Sequence, residues 1–195
     1  SISNFLSTSG LSFNDFRSAS LISPIIEYLI TLLRRRQICQ ILSRCKIEYR
    51  SWKITYIVST TLVTWMTKIG LVGTGMLGEA VGLHLLKSGH SLTAYNRTKS
   101  KTLNLEKNGA IISDTPKRVA ESSELVITCV RDAPAVHEVL FGQEGIVSGK
   151  HDDLVIADMS TINPKSAIQN SKRLGEEGIN SLEIPVMGGP NVAID

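Results

Sequence analysis

Residues 68–78 read Lys-Ile-Gly-Leu-Val-Gly-Thr-Gly-Met-Leu-Gly, an apolar run that leads into three closely spaced glycines. The spacing is that of the G-x-G-x-x-G pattern, which here follows a predicted strand and opens a predicted helix. In this context Gly73 makes a tight turn, Gly75 leaves room for a pyrophosphate beside the backbone, and Gly78 lets the helix pack closely on the strand. The segment therefore predicts a dinucleotide-binding loop.

The first turn of that helix adds a second attraction for a dinucleotide. Its backbone N–H groups lack helical partners, and the positive end of the helix dipole lies there, so the turn favours an anion such as a diphosphate. The expected cofactor-binding residues of this segment are Gly73, Thr74, Gly75, Met76, Leu77 and Gly78.

From residue 68 onward the pattern alternates between strand and helix with short links. Several strands are nearly continuous apolar runs, which is typical of a parallel sheet covered on both faces. The pattern predicts an α/β fold with a Rossmann-type, doubly wound, mainly parallel sheet. The predicted strands are 69–72, 91–95, 110–112, 124–130, 154–158 and 179–184, and the predicted helices are 76–87, 98–108, 115–122, 133–141 and 163–177.

The first 65 residues differ in composition from the rest. They contain 8 of the 21 Lys and Arg residues, 3 of the 18 Asp and Glu residues, and 8 of the 10 aromatic residues. Met66 is the first methionine and lies three residues before the start of the first predicted strand. We predict that residues 1–65 are an N-terminal extension outside the working domain, and that residues 66–195 form the nucleotide-binding domain. The alternative is an organellar targeting segment, because the extension is rich in Ser and Arg and poor in acids.

The extension contains two apolar runs and one basic cluster. The runs 21–33 and 54–66 are too short to span a bilayer comfortably, so no membrane association is expected. The cluster 34–36 is three arginines, which is more typical of a solvated helix end than of a nucleic-acid site. The sequence therefore predicts neither a membrane partner nor a nucleic-acid partner. It predicts a cytoplasmic location, or an organellar one if the extension is a transit segment.

The three cysteines do not predict a metal site. Cys39, Cys45 and Cys129 show no C-x-x-C spacing, and a disulfide framework is equally unsupported. Cys129 lies in an apolar run and is expected to be a buried small hydrophobe.

The end of the second predicted strand indicates which dinucleotide is bound. NAD-binding domains carry an acidic residue about twenty positions after the first glycine, whereas here the sequence is Asn96-Arg97-Thr98, followed by Lys99 and Lys101. A guanidinium fork suits a phosphate, and an acid would repel one. We therefore predict NADP(H), bound in part by Asn96, Arg97 and Thr98. The alternative is that Asn96 and Thr98 only cap the next helix while Arg97 is solvated.

Four motifs in order resemble the β-hydroxyacid dehydrogenases, the family of 3-hydroxyisobutyrate dehydrogenase, glyoxylate/succinic semialdehyde reductase and, more distantly, 6-phosphogluconate dehydrogenase. They are the glycine segment 69–78, Asn-Arg-Thr at 96–98, Asp-Met-Ser-Thr-Ile-Asn-Pro at 158–164, and Pro-Val-Met-Gly-Gly-Pro at 185–190. The resemblance covers residues 67–195. It implies an NADP-binding domain followed by an all-helical domain that often dimerises, and reversible hydride transfer between NAD(P)H and a small carboxylate-bearing substrate.

The resemblance also implies where the catalytic groups lie. The family uses a lysine as general acid/base and a nearby asparagine, both on a helix past the Rossmann domain, so both would lie beyond Asp195. We therefore expect the chain to be a part of a longer enzyme, and expect this part alone to be inactive.

Two further segments are expected at the ligand by resemblance. Ser160 and Thr161 would lie beside the nicotinamide and the substrate, Thr161 contacting both, although Asn163 and Pro164 also explain their motif as a helix start. Val130 and Arg131 follow the fourth strand, where the family's backbone passes the cofactor; a surface role for Arg131 is the alternative.

The last motif departs from the family pattern. Met187 stands where the family usually has a serine that binds the substrate carboxylate, while Gly188 and Gly189 still offer backbone N–H groups to an anion. We expect all three residues to lie at the substrate. The loss of the serine then implies a less polar substrate than the family's usual one, a carboxylate held by backbone alone, or loss of activity.

The leading hypothesis is an NADP-dependent oxidoreductase acting on a small β-hydroxyacid or semialdehyde, whose full-length form is a homo-oligomer. The alternatives are an imine-type reductase on the same scaffold and a nucleotide-binding module without catalysis, since a fold does not fix a function.

Overall fold

A computed structural model describes residues 68–185 of the chain. The extension predicted for residues 1–65 lies outside the described residues. The same holds for Met187, Gly188 and Gly189, the expected substrate-side residues of the last motif.

The described residues form one six-stranded sheet in which every neighbouring pair of strands is parallel. The order across the sheet is β3-β2-β1-β4-β5-β6, so β1 lies between β2 and β4. This confirms the Rossmann-type doubly wound fold. The strands are β1 (Lys68–Val72), β2 (Ser91–Tyr95), β3 (Ile111–Ile112), β4 (Leu125–Thr128), β5 (Val155–Asp158) and β6 (Asn180–Glu183).

Helices connect successive strands. A 3₁₀ turn, Lys99–Thr102, precedes the second helix, and another, Ile146–Gly149, follows the fourth. The helices are α1 (Met76–Lys87), α2 (Leu103–Lys107), α3 (Pro116–Glu121), α4 (Ala133–Phe141) and α5 (Pro164–Glu176).

The sequence prediction was too regular in two places. The helix predicted over 98–108 is a 3₁₀ turn followed by a short α-helix, and the Thr102 hydroxyl donates to the Lys99 carbonyl within that turn (2.8 Å). The strand predicted over 124–130 ends at Thr128. Its apolar pattern continues for two residues, but the Val130 N–H donates to a side chain rather than to the sheet.

The apolar core has two layers because neighbouring strand residues point to opposite faces of the sheet. Leu71 belongs to a cluster with Val81 of α1, whereas the next residue, Val72, belongs to a cluster with Val136 of α4 and Leu174 of α5. All five side chains are 3% exposed or less. The two buried layers hold the strands in register and so fix the positions of the loops at the carboxyl edge of the sheet.

Side-chain caps begin three of the helices at that edge. Thr115 Oγ1, Asp132 Oδ1 and Asn163 Oδ1 each accept a backbone N–H bond, at 3.3, 2.9 and 2.9 Å, from the residue three positions later. Asn163 is followed by Pro164 at the first helical position, as the sequence predicts. Within residues 68–185 no helix is both long and apolar enough to cross a bilayer.

Candidate functional site

The glycine loop is built so that two of its glycines serve the fold and one is left open. Gly73 has a φ of 101°, and a Cβ placed there would collide with the Cys129 carbonyl. A Cβ on Gly78 would collide with the Gly73 carbonyl. At Gly75 an added Cβ has no atom within 4 Å. The protein itself therefore requires glycine at the first and third positions, while the free space at Gly75 is available to a ligand.

The start of α1 is open to an anion. Gly75 is its N-cap and carries no side chain that could satisfy the first-turn N–H groups. Met76, the first helical residue, is 77% exposed. Glu79 is the acidic group of this turn, and its Oε1 accepts a hydrogen bond from Asn104 Nδ2 (2.6 Å). The N–H groups of the first turn and the helix dipole together favour a negatively charged ligand.

Asn96 ties the glycine loop to the turn after β2. Its Oδ1 accepts the Thr74 N–H (3.1 Å), and its Nδ2 donates to the Thr98 carbonyl (3.0 Å). The Thr74 hydroxyl donates to the Lys101 carbonyl (2.9 Å), which makes a second link between the same two loops. The sequence offered two explanations for the neutral amide, the cofactor and a helix cap. The structure adds another cause, because an aspartate could accept from Thr74 but could not donate to Thr98.

The two caps proposed for this turn are not formed as expected. Thr98 occupies the N-cap position of the 3₁₀ turn, but its side chain accepts no capping hydrogen bond. Asn96 uses its amide for the contacts above. Within residues 68–185 no hydrogen bond or ion pair engages the Arg97 side chain, which is exposed.

Lys99, one of the expected cations, is already paired. Its Nζ lies 2.7 Å from Asp114 Oδ1, and this hydrogen bond raises the pKa of the Lys99 ammonium and lowers the pKa of the Asp114 carboxyl. Both side chains are exposed. Asp114 could not be predicted from the sequence as a partner of Lys99, because it follows β3, fifteen residues away, and only the parallel pairing of β2 and β3 brings it close.

Ser160 joins the loops after β4 and β5. Its hydroxyl oxygen accepts the Val130 N–H (3.0 Å), and its own N–H donates to Asp158 Oδ1 (3.0 Å), which also accepts from the Thr128 hydroxyl (2.7 Å). Ser160 is only 6% exposed. Thr161, the next residue, is exposed at the same edge. Because its oxygen is used as an acceptor, the Ser160 hydroxyl retains a proton that it can donate to a ligand.

Two carboxylates end the neighbouring strands β5 and β6. Asp158 and Glu183 are register partners, so their Cα atoms lie side by side. Burial, and then the charge of Asp158, raise the pKa of the Glu183 carboxyl. The sequence analysis did not single out Glu183, although the acid at the end of each of two consecutive strands was a visible signal. Within the described residues no group of three or more His, Cys, Asp or Glu side chains could hold a metal ion.

Cys129 lies beneath the glycine loop and is half-buried. Burial, with a smaller effect from the charge of Asp158, raises the pKa of its thiol to about 11, and the Gly78 N–H offsets part of this rise. The thiol therefore stays protonated at neutral pH, in agreement with the expectation that it acts as a small hydrophobe.

The carboxyl edge thus brings together four of the predicted segments: the glycine loop, the turn at Asn96–Thr98, the loop at Val130–Arg131 and the loop at Ser160–Thr161. This is the edge at which open parallel sheets bind ligands. Comparison with known proteins likewise indicates a dinucleotide-binding domain. The family model described as the NAD binding domain of 6-phosphogluconate dehydrogenase matches residues 68–195. The chain belongs to this family.

Several relatives of the chain are oxidoreductases or dehydrogenases by name. The chain is 37% identical to the probable 3-hydroxyisobutyrate dehydrogenase-like 1, mitochondrial, of Arabidopsis thaliana over 141 residues, which are 72% of this chain and 42% of that protein. The resemblance to the β-hydroxyacid dehydrogenases is confirmed. The chain spans less than half the length of this relative.

Solved structures share the fold. The 3-hydroxyisobutyrate dehydrogenase of Mycobacterium tuberculosis superimposes with a TM-score of 0.61 at 20% identity, over 65% of this chain and 43% of that one. A reductive aminase from Aspergillus terreus, solved with NADPH4, cyclohexanone and allyl amine, superimposes with a TM-score of 0.58 at 28% identity, over 65% of this chain and 44% of that one.

The different roles of the glycines predict different effects of alanine. Gly73→Ala should destabilise the domain by at least about 2 kcal/mol, because the residue has a positive φ and its Cβ meets backbone. Gly75→Ala should change the free energy of unfolding by less than about 1 kcal/mol, yet weaken NADPH binding more than tenfold. Urea unfolding and fluorescence titration with NADPH separate the two. If Gly75→Ala binds NADPH as tightly as the parent, no ligand approaches this loop.

The raised pKa of Cys129 predicts slow alkylation. At pH 8 its reaction with iodoacetamide should be about 100-fold slower in the folded protein than in guanidinium, since two pKa units separate the thiolate fractions. Peptide mass spectrometry distinguishes Cys129 from the other two cysteines. Between pH 7.5 and 9.5 the folded-state rate should rise tenfold per pH unit throughout. A plateau near pH 9 in the folded protein would contradict the assignment.

Proposed function

We propose that this domain binds NADP(H) in an oxidoreductase that transfers a hydride between NADP(H) and a small β-hydroxyacid or semialdehyde, as a 3-hydroxyisobutyrate dehydrogenase-like enzyme does. The observation that carries the proposal is the open space at Gly75 beside the uncapped start of α1, with the exposed Arg97 in the adjoining loop. A diphosphate fits the first feature, and a phosphate on the adenosine ribose fits the second.

The choice of NADP over NAD rests on charge. No acid follows β2, where an NAD-binding domain would use one for the ribose hydroxyls. Arg97 makes no hydrogen bond or ion pair within residues 68–185, and Lys101 is exposed in the next turn. Lys99 contributes less than the sequence indicates, since Asp114 neutralises it.

The proposed substrate end uses the loop after β5 and the last motif. Ser160 donates its remaining hydroxyl proton, and Thr161 lies beside both the nicotinamide and the substrate. Backbone N–H groups of Gly188 and Gly189, next to Met187, hold the substrate carboxylate. The acid/base lysine and its asparagine lie beyond Asp195 in the proposed whole enzyme, which is a homo-oligomer. We propose a cytoplasmic location, or an organellar one if residues 1–65 act as a transit segment; the printed name of the Arabidopsis relative is mitochondrial.

A second candidate is an imine-type reductase on the same scaffold. Met187 favours it, because a thioether cannot donate the hydrogen bond that the family's usual serine gives to a carboxylate. The likeness to the Aspergillus reductive aminase, at 28% identity, gives it further support.

Cofactor preference tests the proposal directly. The 195-residue chain should bind NADPH at least tenfold more tightly than NADH in calorimetry. Arg97→Ala should lower NADPH affinity about tenfold, as expected for one charge-assisted contact to phosphate, and change NADH affinity less than twofold. NADH thus serves as the internal control for folding. Equal affinity of the parent chain for both cofactors would contradict the assignment.

Turnover tests the proposed location of the acid/base group. With NADPH bound at saturation, the 195-residue chain should oxidise none of it above the blank when given glyoxylate, succinic semialdehyde or a cyclic imine. Absorbance at 340 nm measures the oxidation, and calorimetry on the same sample verifies that NADPH is bound. Clear oxidation with either carbonyl substrate would show that residues 1–195 already contain the proton donor.

A further inference from the structure

Arg131 lies in the loop after β4, on the opposite side of the glycine loop from Arg97. Because β1 is flanked by β2 and β4, the loops that follow these three strands are neighbours at the carboxyl edge. Arg97 comes two residues after the end of β2, and Arg131 three residues after the end of β4. The two guanidinium groups are distant in sequence but belong to the two loops that flank the glycine loop.

Asp132 fixes the orientation of Arg131. One carboxylate oxygen, Oδ1, accepts the Ala135 N–H (2.9 Å) at the start of α4, and the other, Oδ2, accepts from Arg131 Nε (2.8 Å). The carboxylate is thereby anchored to a helix while it holds the arginine through a single nitrogen. The two terminal nitrogens of Arg131 have no hydrogen-bond partner within residues 68–185, and its side chain is 84% exposed.

Both Arg131 and Arg97 affect the Asp132 carboxylate. The Ala135 N–H has the largest effect in lowering the pKa of Asp132; the hydrogen bond from Arg131 follows, and the charge of Arg97 adds a smaller contribution. Arg97 is therefore close enough to interact electrostatically with Asp132. Two cations and one anion leave a positive site before any ligand binds, and a phosphate dianion entering it is attracted by both guanidinium groups.

We propose that Arg131 is a second ligand of the phosphate on the adenosine ribose, and that it binds this phosphate together with Arg97. The inference rests on the proposed binding of NADP(H) and names a specificity residue of that site. A guanidinium held at Nε presents its two terminal nitrogens as a fork, which matches two oxygens of one phosphate.

Lys99 does not fill this role equally well. It lies two residues after Arg97, but its ammonium is held by Asp114 at 2.7 Å. Arg131 is paired as well, yet through Nε alone, so its pairing orients the side chain and leaves the phosphate-binding end free. The difference lies in the geometry of the two ion pairs rather than in their distance from the glycine loop.

The test uses two probes that differ only in the phosphate in question, 2′,5′-ADP and 5′-ADP, titrated into the 195-residue chain by calorimetry. Arg131→Ala should weaken 2′,5′-ADP about tenfold and 5′-ADP less than twofold. Arg131→Lys should fall between, because it keeps the charge and loses the fork. Lys172→Ala on α5 removes one exposed cation elsewhere on the domain and is the matched control; it should change neither affinity by more than twofold.

Each other outcome has a definite meaning. If Arg131→Ala leaves the 2′,5′-ADP affinity unchanged, Arg131 is only a solvated surface residue and the inference fails. If both probes weaken equally, Arg131 contacts the adenine or acts through general charge, and the inference fails again. If the parent chain does not prefer 2′,5′-ADP at all, the proposed NADP function fails. If the parent prefers 2′,5′-ADP and this preference is removed by Arg97→Ala but not by Arg131→Ala, the NADP function stands and only the role of Arg131 fails. Thermal unfolding of each variant excludes loss of fold as the cause.

Discussion

Helix α1 packs against the turn after β1 so closely that Gly78 cannot carry a Cβ, because that atom would collide with the Gly73 carbonyl. This contact brings the first-turn N–H groups of the helix to the carboxyl edge of the sheet, between the loops that follow β2 and β4. Every feature of the candidate site depends on it. If the helix were displaced outward, the space at Gly75 would no longer lie between Asn96 on one side and Val130 on the other.

Hydrogen bonds from buried or half-buried side chains hold these loops together. Asn96 and Thr74 join the β2 loop to the glycine loop, and Ser160 joins the β5 loop to the β4 loop. Each of these bonds satisfies a backbone group that the turn leaves without a sheet or helix partner. The site is thus pre-organised by contacts that do not require a bound nucleotide, which lowers the ordering cost of binding.

The sequence was sufficient for the fold and for the loops that meet at the candidate site. Glycine spacing, apolar strand runs and the Asn163–Pro164 helix start are local signals, and the structure has a strand or helix at each of them, although the fourth strand ends two residues earlier than its apolar run. The partners of the polar side chains were less accessible. Asp114 neutralises Lys99, and Asn96 binds the glycine loop, through contacts between residues 15 and 22 positions apart. Such contacts depend on strand order, and periodicity gives no information about them.

The two hydrogen bonds of Asn96 constrain how coenzyme preference could evolve or be engineered. An acid at this position is the simplest route toward NAD, but it would place a carboxylate against the Thr98 carbonyl, which now receives the amide proton. The two oxygens would repel each other, and the turn would have to be rebuilt before the acid became acceptable. Coenzyme choice in this domain is therefore epistatic, because Asn96, whose replacement would alter selectivity, also holds the turn after β2 in place through its hydrogen bonds. A useful substitution at position 96 has to be preceded or accompanied by a substitution near position 98.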